Sequence, residues 1–379
     1  MSLLLIALLA DPAAPSPELY PADRPIVVPV WTRIGDFSPT LRSVEAAAFS
    51  PDGRTCASGA KFDASVMMWR VADGHLLWER AHESEVECVA FSPDGRYLAT
   101  GGEDFTARIW EAATGEPVRT IALPRGLDGI AWSHDGRTLA GGDEDGTMHL
   151  IATVGEPDSW AVRQTIATGD TINSIAFTRD DARIAVAGNV QETDADGRHY
   201  LGFARLFDVA TGDTLVDYGP IGHVVKAGTT MRTGSLKSIR FSRDESLVAC
   251  GGFGKSAYVF ETETGALVRE MAGGHRIEAI AFTPDGHYLV TGGHAAHLTF
   301  YRTGDWSTAH EQPCVRCEYI DFTRDGRLML TSHEDSGLLH LWLLASDLQR
   351  NFDGSYQRLA NEQLTNRDLE QPSKRRTED

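Results

Sequence analysis

The sequence predicts an all-β fold made of seven similar units, each with four short antiparallel strands. Three observations support this prediction: a six-residue phrase recurs seven times, its copies lie at nearly regular intervals, and turn-forming residues lie within or after the copies. The intervals are 42, 41, 45, 64, 41 and 40 residues, and a period of about 40 residues is the length of four short strands with their turns. The one enlarged interval places inserted residues after the fourth copy.

The recurring phrase marks the end of the first strand of each unit. FSPDGR begins at Phe49 and returns at Phe91. Altered copies begin at Trp132 (WSHDGR), Phe177 (FTRDDA), Phe241 (FSRDES), Phe282 (FTPDGH) and Phe322 (FTRDGR). Proline, aspartate and glycine are hairpin-turn residues, because glycine accepts a positive φ and proline fixes the approach of the chain. The phrase therefore predicts a turn into a second strand.

Two columns of mostly apolar residues precede the phrase. The first column, two residues earlier, contains Ala47, Val89, Ile130, Ile175, Ile239, Ile280 and Ile320. The second column, five residues earlier, contains Val44, Val86, Leu127, Ile172, Leu236, Ile277 and Cys317. Offsets of zero, two and five break the strict alternation of a strand, as one extra residue would. We therefore expect a β-bulge in the first strand of each unit.

A third strand in each unit ends in an aromatic or large apolar residue. These residues are Trp69, Trp110, Ile151, Phe207, Phe260, Tyr301 and Trp342. With this ending, the period and the turn, the units resemble WD40 repeats, and seven of them resemble a seven-bladed β-propeller of four-stranded antiparallel blades. The resemblance covers about Val44 to Leu344. The chain departs from the family pattern in lacking the Trp-Asp dipeptide after the third strand.

The seventh unit lacks a matching fourth strand, and the resemblance implies that the other end of the chain supplies it. Residues 25–31 are the candidate closing strand, and Pro29 suits an outermost strand because proline cannot donate a ladder hydrogen bond. The predicted organisation is a leader or signal peptide over residues 1–20, a propeller over 21–345, and a polar tail over 346–379. Export and a cytoplasmic location both stay open, because the apolar run Leu3–Ala10 has no positive charge before it.

Two segments lengthen the connections of the fourth unit. Residues 189–201 enlarge the predicted connection between its second and third strands, and residues 217–233 enlarge the path to the fifth unit. Connections of this length are usually functional or disordered. The family's topology places both of them on, or leading to, the top face of the ring.

Composition excludes some classes of partner. The chain has 35 basic and 54 acidic residues and a formal net charge of −19, which repels the phosphates of nucleic acids. The longest uninterrupted apolar run, Leu3–Ala10, is far below the roughly 20 residues of a membrane-spanning helix. We expect protein partners of unknown identity, no nucleic acid, no transmembrane segment and a monomeric chain.

One polar set could be mistaken for a catalytic centre. His82, Thr100, Asp104 and Trp110 match, residue by residue, the structural tetrad of the resembled family, a hydrogen-bond chain that ties the strands of one blade together. Buried polar groups must be satisfied, and such a network does so while fixing one register. A nucleophile would need an oxyanion hole, for which the sequence gives no motif. We predict no catalytic residue here.

Cysteines and histidines raise two further possibilities. Cys314 and Cys317 form a Cys-x-x-Cys pair, but no second pair or redox fold accompanies them, so we interpret Cys317 as a small buried hydrophobe. Imidazoles near one rim could hold a transition metal. The residues concerned are His275, His294, His297 and His333. This set carries the alternative function, a ligand-binding, metal-binding or enzymatic propeller with its site at the central channel.

The preferred interpretation is a non-enzymatic protein-interaction scaffold without cofactor or metal. Seven sets of loops on a rigid ring make a broad binding surface, and none converges on a recognisable reaction. Phe62 and Phe105 stand out because exposed aromatic residues suit interaction hot spots, although local packing is an equal explanation. The predicted contact residues on the top face and rim are Phe62, Glu83, Glu85, Glu103, Phe105, Arg125, Asp128, Arg276, His294 and His333.

Overall fold

A computed structural model describes residues 27–34, 43–169, 171–194, 197–221, 234–333 and 338–344. These residues form 28 β-strands and one short 3-10 segment, Pro157–Ser159. The strands make seven sheets of four, each running in simple antiparallel order. The predicted leader 1–20 and tail 346–379 lie outside the described residues.

Each sheet is one blade, numbered here in chain order. Blade 1 comprises β2 (Val44–Phe49), β3 (Thr55–Ala60), β4 (Ser65–Arg70) and β5 (His75–Ala81). Blade 2 comprises β6 (Val86–Phe91), β7 (Tyr97–Gly102), β8 (Thr106–Glu111) and β9 (Pro117–Ala122). Blade 3 comprises β10 (Leu127–Trp132), β11 (Thr138–Asp143), β12 (Thr147–Ala152) and β13 (Ala161–Ala167). Blade 4 comprises β14 (Thr171–Phe177), β15 (Arg183–Asp194), β16 (Gly197–Asp208) and β17 (Thr214–Ile221).

The remaining blades follow the same plan. Blade 5 comprises β18 (Leu236–Phe241), β19 (Leu247–Gly252), β20 (Ser256–Glu261) and β21 (Leu267–Ala272). Blade 6 comprises β22 (Ile277–Phe282), β23 (Tyr288–Gly293), β24 (His297–Arg302) and β25 (Thr308–Pro313). Blade 7 comprises β26 (Tyr319–Phe322), β27 (Leu328–His333), β28 (Leu338–Leu344) and, from the start of the chain, β1 (Val27–Ile34).

The blades form a closed ring around a central channel. The first strand of each blade contacts the first strand of the next, and β26 of blade 7 contacts β2 of blade 1. The first strands therefore line the channel and the fourth strands form the outer edge. The predicted seven-bladed, all-β architecture is confirmed.

The N-terminal strand completes blade 7. β1 pairs antiparallel with β28, from Val27 opposite Leu344 to Ile34 opposite Leu338, with a register shift after Pro29. β1 lies at the edge of its sheet, where the missing N–H of Pro29 leaves no neighbouring strand unpaired. The predicted closing strand 25–31 is confirmed in its place in the ring, although the strand extends to Ile34.

The predicted β-bulge is present in the first strand of blades 1 to 6. In each of them the register shifts by one residue directly after the outermost apolar column, as between Val44 and Ala46 in blade 1 or Val86 and Cys88 in blade 2. In blade 7 the first strand begins only at Tyr319. The extra residue keeps the apolar columns on the buried faces and turns one side chain towards the channel.

The turn after each first strand imposes one backbone conformation. Five repeats place glycine there, with φ between 67° and 80°. The fourth and fifth repeats place Asp181 and Glu245 in the same left-handed region, at φ 58° and 60°. This conformation costs about 1 kcal/mol or more without glycine. Both side chains bind a neighbouring turn in return, Asp181 the backbone N–H of His134 at 2.6 Å and Glu245 that of Arg179 at 2.7 Å.

The hydrophobic core is divided among the seven blade interfaces. Each of seven clusters of buried side chains combines residues from two adjacent blades, including one that joins blade 7 to blade 1. In the second cluster, for example, Trp78 of blade 1 packs with Phe91 and Leu98 of blade 2. No blade buries both of its faces alone, so ring closure contributes directly to stability.

The first insertion, whose order the sequence leaves open, is largely strand in the structure. Within residues 189–201, the chain continues β15 and β16 as a long hairpin, whose pairing extends from Asn189 opposite Gly202 to Asp194 opposite Gly197. The extended strands satisfy each other's backbone groups, which a loop of this length would leave to solvent. Of the second insertion, residues 217–221 belong to β17 and residues 222–233 lie outside the described residues.

Candidate functional site

A ring of polar side chains surrounds one end of the central channel, which we call the channel ring. Each blade contributes the residue that directly follows the second apolar column, the one five residues before the recurring phrase. In blades 1 to 6 this is the bulge residue. The channel ring consists of Glu45, Glu87, Asp128, Asn173, Lys237, Glu278 and Glu318. A cavity of about 90 Å³ lies among them. A strand bulge frees a side chain from the usual alternation, so six equivalent bulges, with Glu318 of blade 7, create one polar site.

The channel ring is acidic on the side of blades 2 and 3. Carboxylate oxygens of Asp128, Glu103 and Glu144 lie within 4.8 Å of one another. Burial, reinforced by the charges of Glu87 and Glu144 and opposed by Lys237, raises the pKa of Asp128 to about 7. Burial and the neighbouring Glu144 also raise the pKa of Glu103. Like charges held this close disfavour full ionisation, so this part of the channel mouth favours a cation.

Two lysines partly neutralise the ring. The Lys61 ammonium lies 3.8 Å from Glu45, 3.8 Å from Glu85 and 3.7 Å from Glu87, and so bridges blades 1 and 2. Lys237 belongs to the ring itself, and although burial would lower its pKa, the charges of Asp128 and the ring glutamates raise it. Lys237 therefore stays protonated inside the ring.

Blades 5 and 6 give the channel mouth a second, basic and aromatic side. The Arg276 guanidinium lies 4.4 Å from the centre of the Phe253 ring, and the Lys237 ammonium lies 5.7 Å from it. Cations at this distance are attracted to the negative face of an aromatic ring. The two sides of the mouth thus differ in charge, so a charged partner would bind in one preferred orientation.

Sequence reasoning named one member of the channel ring, Asp128, and missed the other six. The signal was present, because the position four residues before each anchor is polar in all seven repeats. The offsets predict the bulge, but the repeat pattern alone does not show that ring closure brings these seven side chains together at the channel.

The four residues matched to the structural tetrad form a continuous hydrogen-bond chain in blade 2. The Trp110 indole N–H donates to the Thr100 hydroxyl at 2.9 Å, and that hydroxyl lies 2.7 Å from His82 Nε2. His82 Nδ1 lies 2.9 Å from the carboxylate of Asp104. Burial lowers the pKa of His82, with Asp104 opposing this effect. A neutral, hydrogen-bonded imidazole in this position links the loop before β6 to β7 and β8.

The carboxylate of Asp104, in blade 2, accepts further hydrogen bonds besides the one from His82. Asp104 also accepts hydrogen bonds from the Thr106 hydroxyl at 2.6 Å and from the Arg108 guanidinium at 2.8 Å. Although burial opposes it, the hydrogen bonds from Thr106 and His82 hold the pKa of Asp104 below its usual value. The carboxylate has neither the exposure nor the free proton-accepting capacity that a general base requires.

Two blades retain part of this chain. In blade 1 the Trp69 indole N–H donates to the Ser58 hydroxyl at 3.0 Å. In blade 7 the Trp342 indole N–H donates to the Thr331 hydroxyl at 2.9 Å, and Thr331 lies 2.9 Å from His333 Nε2. In blade 7 the histidine comes from the end of the second strand and not from the loop before the first.

Most of the predicted contact residues are accessible at the channel mouth or rim. Phe62 and Phe105 are 61% and 44% exposed. Glu83 is exposed, and Arg125 is exposed in an ion pair with Asp145 at 2.6 Å. The half-buried members are Glu85, Glu103, Asp128, Arg276 and His294.

His333 is a correction to that prediction. It is 0% exposed, because it packs beneath the rim as part of the polar chain of blade 7 and its Nδ1–H donates to the Arg316 carbonyl at 2.7 Å. A side chain in this position cannot touch a partner. The sequence placed it in a turn, whereas it is the last residue of β27.

The predicted four-histidine cluster also does not assemble. Among the described residues, the groups of possible metal ligands place His294 with Glu278 and Glu318, and His333 with Cys314 and His340, while His275 and His297 belong to no group. His275 is exposed, and His297 lies 3.8 Å from Glu311. The alternative site at the channel therefore lacks the ligand set on which it was based. Cys317 is 1% exposed, as its interpretation as a buried hydrophobe predicts.

Fold and channel mouth together define a seven-bladed β-propeller whose polar side chains converge on the channel, with Trp–Ser/Thr hydrogen bonds inside blades 1, 2 and 7. A family model for the WD domain, G-beta repeat, matches residues 31–70, 74–111, 115–151 and 265–301. Each match begins in the outer strand of one blade and ends in the third strand of the next, and the first begins in β1. The chain therefore contains WD40 repeats in four places within its seven-bladed β-propeller.

No curated protein matches the chain in sequence. WD40 propellers generally bind protein partners as interaction scaffolds and are typically not enzymes. No helix in the ranges described above is long and apolar enough to cross a membrane.

Proposed function

We propose that this propeller is a non-enzymatic scaffold that binds a protein segment at its channel mouth, and that the segment presents a lysine or arginine beside an apolar residue. The observation that carries the proposal is the exposed aromatic ring of Phe105, which follows directly after Glu103 and Asp104 in the turn between β7 and β8. Aromatic residues are enriched in protein interfaces, where a few buried anchors supply most of the binding energy.

The turn that carries Phe105 has a left-handed backbone. Its φ is 60°, and the equivalent residues Ala64, Gly146 and Lys255 of blades 1, 3 and 5 have φ of 56°, 77° and 67°. A large residue in this conformation costs about 1 kcal/mol or more. The turn therefore imposes the conformation, and Phe105 is the residue that presents a large aromatic ring to solvent from it.

The acidic trio Glu103, Asp128 and Glu144 supplies the preference for a cation. Their mutual repulsion falls when a positive charge enters, and this gain is largest where water is already partly excluded. Attraction of a basic partner also raises the rate of association more than the final affinity. With a net charge of −19 on the chain, we expect no nucleic-acid partner, and we expect the scaffold to act as a monomer.

In this proposal the hydrogen-bond chain of His82, Thr100, Asp104 and Trp110 has a structural role. It lies below the mouth, it is buried, and it fixes the loop that carries Glu83 and Glu85 relative to the turn that carries Phe105. A rigid support of this kind lowers the entropy lost on binding.

Affinity purification with three versions of the full-length chain tests the proposal. The wild type is compared with Phe62→Ser/Phe105→Ser, and with Leu215→Ser/Leu267→Ser as a matched control. The control residues are 48% and 54% exposed on the outer strands of blades 4 and 5. We expect the first pair to lose proteins that the wild type and the control both retain.

Salt provides a second measurement on the same proteins. Binding through the acidic trio weakens as ionic strength rises, because the Debye length falls to about 3 Å at 1 M salt. If the Phe62→Ser/Phe105→Ser chain retains every partner of the wild type, the channel mouth is not the binding surface. Retention in 1 M salt would instead contradict the preference for a basic segment.

A further inference from the structure

We propose that Cys314, His333 and His340 form a binding site for a transition-metal ion of the zinc type, beneath the rim of blade 7. The site is separate from the channel mouth and does not depend on the proposed scaffold function. One thiol and two imidazoles are the ligands that zinc prefers among protein side chains.

The three ligand atoms already lie close together. Cys314 Sγ, a nitrogen of His333 and a nitrogen of His340 are all within 4.8 Å of one another. Cys314 Sγ is 3.9 Å from His333 Nε2. In a tetrahedral zinc site the bond lengths place sulfur and nitrogen about 3.6 Å apart, so a shift of a few tenths of an ångström would bring this pair to ligand spacing.

His333 is oriented as a metal ligand. Its Nδ1–H donates to the backbone carbonyl of Arg316 at 2.7 Å, which makes Nε2 the acceptor, 2.9 Å from the Thr331 hydroxyl and 3.9 Å from Cys314 Sγ. Metal-binding histidines usually donate their second ring N–H to a carbonyl or carboxylate, and this bond fixes the tautomer.

His340 is the observation that points most directly to a ligand. It is 5% exposed, and within the described part of the chain its contacts are with the rings of His333 and Trp342, at 4.5 and 5.4 Å between centroids, and not with a hydrogen-bonding group. A nitrogen of this ring lies within 4.8 Å of both Cys314 Sγ and a nitrogen of His333. A metal ion held by Cys314 and His333 would therefore be within reach of His340.

Coordination has two local consequences. The Cys314 thiol must release its proton to solvent when the sulfur binds the ion, and Cys314 is partly accessible at the rim. The Thr331 hydroxyl, now 2.9 Å from His333 Nε2, must find another acceptor. In blade 2 the equivalent hydroxyl, Thr100 Oγ1, lies 3.4 Å from the backbone carbonyl of Arg108. His340 pairs with Thr331 as Arg108 pairs with Thr100, so the His340 carbonyl is the corresponding acceptor in blade 7.

Cobalt(II) is a direct probe of the site, because a thiolate ligand gives it a charge-transfer band and tetrahedral geometry gives it intense visible bands. The full-length chain, without a histidine tag and stripped by a chelator, is titrated with cobalt and then with zinc. We expect one cobalt ion per chain, both sets of bands, and displacement by zinc. Cys314→Ser should lose the charge-transfer band, and His340→Leu should weaken cobalt binding at least tenfold.

Cys317→Ala is the matched control, since Cys317 belongs to the same Cys-x-x-Cys pair but packs in the core between blades 6 and 7. It should keep both the band and the affinity of the wild type. His333 variants are avoided because His333 also supports the hydrogen-bond chain of blade 7. Absence of stoichiometric cobalt binding, or an unchanged charge-transfer band in Cys314→Ser with circular dichroism like that of the wild type, would overturn the proposal.

Discussion

The hydrogen-bond chain of blade 2 and the channel ring are both partly or wholly removed from water, but their carboxylates have different partners. In blade 2, Asp104 has His82, Thr106 and Arg108 as partners within 2.9 Å. In the channel, the carboxylate of Asp128 lies within 4.8 Å of those of Glu103 and Glu144, and the charge of Lys237 only partly offsets their effect and that of burial. The contrast appears in their pKa values, which lie below the usual range for Asp104 and at about 7 for Asp128.

This difference separates a structural assembly from a binding one. A buried polar network that is fully satisfied fixes one arrangement of the strands and gains nothing from a ligand. A group of crowded carboxylates stores unfavourable free energy that an incoming cation relieves, which is why perturbed carboxyl groups mark candidate functional sites. Substitutions in the two assemblies should therefore change stability in opposite directions.

The largest effect should follow from breaking the blade 2 chain. Thr100→Val keeps the shape of the side chain but leaves the Trp110 N–H and His82 Nε2 without their partner. Two buried unsatisfied groups should lower the free energy of unfolding by about 3 kcal/mol. Chemical denaturation followed by far-ultraviolet circular dichroism measures this loss.

Thr120→Val is the control for that experiment, because Thr120 is exposed on the outer strand β9 of the same blade. It should change the free energy of unfolding by less than about 0.5 kcal/mol. A loss below about 1 kcal/mol in Thr100→Val would mean that the chain does not hold the blade together.

A smaller effect, of opposite sign, should follow from removing a ring charge. The folded-state pKa of Asp128, about 7, lies above the unfolded value near 3.9. The folded protein therefore binds a proton that the unfolded chain does not, and this contribution to stability is lost as the pH rises through about 7. Asp128→Asn has no such proton to lose. The free energy of unfolding of this variant, relative to that of the wild type, should therefore be about 2 kcal/mol higher at pH 8 than at pH 5.

Denaturation curves at both pH values check the ring prediction. Asp213→Asn, an exposed substitution between β16 and β17, corrects for the general effect of replacing an aspartate, and its difference from the wild type should be the same at pH 5 and pH 8. If Asp128→Asn also shows an equal difference at both values, Asp128 does not carry a raised pKa and the acidic trio is not strained.

Sequence reasoning reached the first assembly more easily than the second. His82, Thr100, Asp104 and Trp110 lie within one repeat, so a comparison with the repeat pattern was enough to group them. The channel ring takes one residue from each of seven repeats, and it forms only because the ring closes. The metal-ligand group is harder still, because Cys314 comes from the connection between blades 6 and 7, His333 and His340 come from two strands of blade 7, and no other repeat has all three residue types at those positions.

The smallest effect concerns the residue that connects the two assemblies. If Phe105 is displayed for a partner, Phe105→Gly should change the free energy of unfolding by less than about 0.5 kcal/mol, since relief of its left-handed φ offsets the contacts that the ring makes. Ala64→Gly removes almost no surface at the equivalent turn of blade 1, where φ is 56°, and should stabilise by about 0.5 kcal/mol or more. Thermal and chemical denaturation of both variants distinguish the two explanations of the aromatic ring. A loss above about 1.5 kcal/mol in Phe105→Gly alone would show that the ring packs against the neighbouring blade, and the binding surface would then have to rest on Phe62 and the carboxylates.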